Sequence, residues 1–103
     1  MIGPFKSLYS YDYDVVDNWN SAVIGVYYCG AQSSDGKLVI YYIGRAVREG
    51  GIRSRLLEHL SEDKWSDVTH FGYHVCDTAQ EAIDFEVREI AKCKPKYNTV
   101  GVL

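Results

Sequence analysis

The apolar and polar positions of this chain alternate, run together or recur, and each habit predicts an element. Tyr9-Ser10-Tyr11-Asp12-Tyr13-Asp14 alternates, which suits an edge strand or an extended arm. Residues 22–30 (AVIGVYYCG) are β-branched and aromatic and predict a short buried strand. Residues 31–37 form a polar loop with Asp35-Gly36 as its turn signal, and residues 38–43 (LVIYYI) predict a second strand. So short a loop makes the two strands an antiparallel hairpin, with Gly44 expected to end it. Ile52, Leu56, Leu57 and Leu60 then recur at helical spacing, so residues 52–61 read as an amphipathic helix. After a polar loop containing Trp65, residues 68–76 (VTHFGYHVC) predict a third strand. Thr78-Ala79-Gln80-Glu81 is a capping box, which opens a second helix running to about Lys92, with Pro95 just beyond its end. The expected fold is therefore α/β in the α+β sense: a small three-stranded, mainly antiparallel sheet flanked by helices. The expected organisation is one domain over residues 21–103, preceded by an aromatic and acidic arm over residues 1–20. That arm either packs on the core or binds a partner or covers a site.

Composition alters this picture little. The 103 residues are 47% apolar and 24% charged, ordinary for one globular domain that needs no staples. No apolar run has the length of a membrane span and no basic-then-apolar leader is present, so no membrane association and a cytoplasmic location are expected. Cys29, Cys76 and Cys93 are odd in number and lack CxxC spacing, which argues against a disulfide framework and a zinc site. Charge distribution says more than the net charge of −3. Arg45, Arg48, Arg53 and Arg55 stand against Glu49 alone, and Lys92, Lys94 and Lys96 close the chain with no acid among them. Residues 56–91 are strongly acidic. Two basic islands in an acidic molecule, if they meet in space, make a phosphate-sized patch and not a long duplex-tracking surface.

Among residues that could carry chemistry, Glu86 is the most informative. The apolar stripe of the second helix is Ala79, Ala82, Ile83, Val87, Ile90 and Ala91, and Glu86 falls between Ala82 and Ile90. A carboxylate aimed towards a core must be paired, protonated or bound to a metal. A salt bridge to an arginine such as Arg55 and a metal site are both open at this point. Tyr27 and Tyr42 lie on neighbouring strands, where tyrosine is ordinarily core material. Glycines at 25 and 44 and an arginine at 45 set this pair apart. Arg55 and His59, four apart, share one flank of the first helix, and Asn98 follows Lys94-Pro95-Lys96-Tyr97. His70 and His74 lack a ligand-like partner and read as structural.

Taken in order, these residues resemble the GIY-YIG endonuclease domain family. Gly25-Val26-Tyr27 resembles the first signature, with valine for isoleucine, and Tyr42-Ile43-Gly44 the second. Arg45 is similar to the basic residue that follows it. Arg55 and His59 resemble the family's arginine and His-or-Tyr position, Glu86 its single metal-ligating glutamate, and Asn98 its closing asparagine. The resemblance spans about residues 22–100. It implies a GIY-YIG-like fold and hydrolysis of phosphodiester bonds in duplex or branched DNA, with RNA as an open alternative. It also implies one Mg²⁺ on Glu86, for which Mn²⁺ may substitute, and 5′-phosphate and 3′-hydroxyl ends. Tyr27 would be the general base, Arg55 would stabilise transition-state charge, Tyr42 and His59 would position water or phosphate, and Asn98 would hold the site by hydrogen bonds. A phenol with its ordinary pKa of about 10 is a poor base at neutral pH, so a cation such as Arg45, Arg55 or the metal would have to lower it. Arg45, Arg48, Arg53, Lys94 and Lys96 are the expected nucleic-acid contacts. One site per chain makes a homodimer, or a partner protein that supplies specificity, an expected associate. The alternative is a catalytically inactive module of this fold that binds nucleic acid or a protein.

Overall fold

The computed structural model describes residues 1–19 and 22–98. The expected arm-to-domain boundary at residues 20 and 21, and the end of the chain at 99–103, lie outside them. The described elements are β1 (Lys6–Ser10), α1 (Tyr13–Asn18), β2 (Gly25–Gln32), β3 (Leu38–Ala46), α2 (Gly51–Glu62), β4 (His70–Val75) and α3 (Ala79–Cys93). The strands form one open sheet in the order β1-β4-β2-β3, with every neighbouring pair antiparallel. The domain is thus α+β, but its sheet has four strands and not three. The additional strand is β1, which pairs with β4 and occupies that edge of the sheet. The alternating run over residues 9–14, expected as an edge strand or an extended arm, shares only Tyr9 and Ser10 with β1, and from Tyr13 it is α1. Asp12 caps that short helix by accepting a hydrogen bond from the Asp14 amide at 2.8 Å, and Val16 is its buried residue.

The central strand explains its own composition. β2 lies between β3 and β4 and is buried from Gly25 to Gly30, so both of its faces must be apolar. Tyr27 and Cys29 join a cluster with Val16, Ile52, Leu56 and Phe71 on the face covered by α1 and α2. Val26 and Tyr28 join Ile43, Cys76 and Ala82 on the face covered by α3. Ile52 and Leu56 have no exposed surface, and each such burial stabilises the fold by roughly 1.5–3 kcal/mol. They fasten α2 to the sheet at the helical spacing read from the sequence.

Two expectations need correction. Gly44 does not end β3: it pairs with Tyr27, and the strand continues to Ala46. Nor is the whole apolar stripe of α3 buried: Ala82 and Ile90 pack as expected, but Val87 and Ala91 do not. Val87 is 60% exposed, Ala91 is exposed, and the helix packs through Ala82, Phe85 and Ile90. The helix is rotated from the expected setting, and this turns Glu86 and Glu89 inwards. Glu89 accepts a hydrogen bond from the Tyr28 hydroxyl at 2.7 Å.

Candidate active site

Antiparallel pairing of β2 and β3 places Gly25-Val26-Tyr27 and Tyr42-Ile43-Gly44 side by side. Tyr27 stands opposite Gly44, Cys29 opposite Tyr42, and Gly25 opposite Ala46. Gly25 and Gly44 are both required by close approach. A Cβ on Gly25 would overlap the carbonyl oxygen of His74 on β4. A Cβ on Gly44 would overlap the Tyr27 ring at its hydroxyl end and come within 2.9 Å of the Tyr42 ring. The Tyr27 phenol therefore lies across bare backbone, beside Tyr42 with ring centroids 6.2 Å apart.

These residues floor an open pocket of about 390 Å³ beside β3, the outer strand on that side of the sheet. Four elements and the β3–α2 connection contribute to it: Tyr27 from β2, Tyr42 and Arg45 from β3, Val47 and Arg48 from the connection, Arg55 from α2 and Glu86 from α3. Tyr27 keeps no water-accessible surface and forms the floor. Its oxygen is 2.8 Å from Nε2 of His59, which is 1% exposed. Burial, then the neighbouring Arg55 and Lys64 charges, lower the His59 pKa from 6.5 to about 4, so the ring is neutral at physiological pH. Its buried Nδ1 makes no hydrogen bond and lies 3.8 Å from a Glu62 carboxylate oxygen. That carboxylate favours the proton on Nδ1, which leaves Nε2 to accept a hydrogen bond from the Tyr27 hydroxyl.

Desolvation raises the pKa of Tyr27, reinforced by Tyr42, and the Arg55 charge opposes the rise without overcoming it. Burial likewise raises Tyr42 against the pull of Arg55. The cation-lowered phenol expected from the sequence is thus not the resting state: both rings are protonated at neutral pH. Arg55 itself is held firmly charged: its modest desolvation is outweighed by an ion pair with Glu58, one helical turn away.

Glu86 is paired with Arg45 and not with Arg55. Arg45 donates to Glu86 Oε1 at 2.9 Å, and the carboxylate side chain is only 13% exposed. This carboxylate opens on the pocket and uses one oxygen for the ion pair. It fits a hard cation that keeps most of its waters and takes a single protein carboxylate. No group of three or more His, Cys, Asp or Glu suited to caging a metal occurs among the described residues. Asn98 stands at the β3 edge, outside the pocket. Its amide accepts from the Ile43 N–H at 2.7 Å and donates to the Ile43 carbonyl at 2.8 Å, as a neighbouring strand would.

Three expected nucleic-acid contacts do not line the pocket. Arg53 binds the carbonyl and carboxylate of Asp17 on α1. Lys94 is the left-handed C-cap of α3. Lys96 pairs with Asp67 at 2.7 Å and sits over the Tyr41 ring. Sequence reasoning passed over Trp65, which packs on Tyr42 and His59 at 4.7 and 4.8 Å between centroids. A lone tryptophan in an otherwise polar loop was the signal for it. No helix among the described residues is long and apolar enough to cross a membrane. Comparisons with models of known families, with curated proteins and with solved structures find no match to this chain.

Proposed function

We propose that this domain is a metal-dependent endonuclease of the GIY-YIG type, hydrolysing phosphodiester bonds in DNA. One observation carries the proposal: two phenols, three arginines and a sheltered carboxylate, drawn from four separate elements and the β3–α2 connection, share one pocket wide enough for a phosphodiester. Glu86 would hold Mg²⁺, or Mn²⁺ in its place, which supplies neutralising charge for the phosphoryl oxygens and the leaving oxygen. Arg55 lies under the same pocket and stabilises the charge that grows on the phosphoryl group. A water attacks phosphorus and the bond to the 3′ oxygen breaks, leaving the phosphate on the 5′ end, while the departing 3′ oxygen takes a proton from solvent and becomes a hydroxyl. Tyr27 takes the proton of that water while its own proton moves to Nε2 of His59. The negative charge of the reacting phosphate raises the basicity of His59 and offsets the effect of Arg55. For water to reach the buried Tyr27 hydroxyl the pocket would have to open around substrate past Tyr42, which lines it beside Tyr27.

The ion pair between Arg45 and Glu86 favours a second reading, a non-catalytic module of the same fold in which that carboxylate is structural. Incubation with end-labelled duplex, branched and single-stranded DNA and with RNA, in Mg²⁺, separates the two. The nuclease reading expects chelator-sensitive cleavage of at least one DNA substrate with 5′-phosphate ends. Binding without cleavage across the whole panel supports the module instead.

A further inference from the structure

The pocket arginines are not equivalent. Arg55 is held by Glu58, and Arg45 by Glu86, whereas Arg48 makes no ion pair among the described residues. Arg45 is 46% exposed along its side chain, while its partner Glu86 is 13% exposed. An arginine on Oε1 brings a full positive charge to the carboxylate that a divalent cation would need, so the two compete for one anion. Granted the phosphodiester chemistry proposed above, on which this inference rests, we infer that Arg45 couples substrate to metal. In the free protein it occupies Glu86. A phosphodiester drawn in by Arg48 takes the Arg45 guanidinium in exchange and releases Glu86 for the cation. A phosphate offers that guanidinium two oxygens in a matching fork, and the exposed stem of Arg45 leaves room for the change of partner. Linkage then makes the coupling reciprocal, so that metal and phosphate each strengthen the other's binding by the same factor.

Calorimetric titration of Mn²⁺ into the wild type, Arg45→Gln, Glu86→Gln and the double variant, without nucleic acid, tests this. Arg45→Gln is expected to bind Mn²⁺ roughly tenfold more tightly than the wild type, a gain of the size usual for site coupling. That gain is expected to vanish in the double variant, whose unfolding midpoint confirms that it is folded. If the wild type binds through Glu86 as tightly as Arg45→Gln does, the coupling is overturned and the metal assignment of Glu86 stands. If no variant shows Glu86-dependent binding, the coupling and the metal assignment both fall.

Discussion

The Tyr27–His59 pair is the residue-scale core of the site, and both its partners are buried. Tyr27→Phe removes the hydroxyl and leaves both ring nitrogens of His59 without a partner. A stability loss of roughly 1–3 kcal/mol is expected, measured by urea unfolding, with cleavage lowered by roughly 10²–10⁴. His59 also sets a pH dependence. Its pKa is about 4 in the fold and 6.5 when free, so between those values the unfolded chain binds the extra proton. Stability therefore falls as pH drops from about 6.5 to about 4, by an amount on the order of 3 kcal/mol. The depressed carboxylates, Asp35, Asp67 and Glu81, act lower, below the ordinary carboxylate range. Urea unfolding at stepped pH should show the slope between pH 6.5 and 4 flattened in His59→Gln. An unchanged slope contradicts the buried neutral ring.

At the scale of elements, β3 is the critical strand because it is an edge that carries Tyr42 and Arg45. Asn98 closes that edge by pairing with both backbone groups of Ile43. Asn98→Ala should destabilise the fold by roughly 1–3 kcal/mol and speed hydrogen exchange at the Ile43 amide. Unaltered exchange there would mean that the asparagine does not hold the strand. The four longest elements were legible locally: β2 and β3 as β-branched and aromatic runs, α2 from Ile52 and Leu56 buried one turn apart, and α3 from its capping box. What escaped was set by tertiary contact. Alternating tyrosine and aspartate reads as extended chain, and only the Asp12 cap marks α1 as a helix. Gly44 reads as a terminator, yet it lies inside the strand because the Tyr27 ring needs its missing Cβ. The setting of α3 follows Ala82, small enough to approach the sheet, and not the larger Val87. Hence Glu86 was recognisable as an inward acid while its partner was not: Arg45 pairs with it across 41 residues of sequence.

The whole molecule is acidic, with net charge −3, and its pocket gathers three arginines, two of them already paired. Lys96 and Arg53 are held in structural ion pairs and Lys94 lies at the C-cap of α3, none of them lining the pocket, so the basic islands do not merge into one surface there. A patch of this size predicts weak binding with a shallow salt dependence, a slope of log affinity against log salt no steeper than about −3. Fluorescence anisotropy with a labelled duplex measures it, and a much steeper slope would mean that a larger surface grips the backbone. The account turns on Glu86 as the group that makes this pocket catalytic. The most direct measurement is the first-order rate of nicking of supercoiled plasmid in Mg²⁺ by the wild type and by Glu86→Gln, which keeps the size of the side chain. A fall of roughly 10²-fold or more is predicted, the scale of losing one electrostatic stabiliser of the transition state. Equal rates for the two proteins would contradict the account.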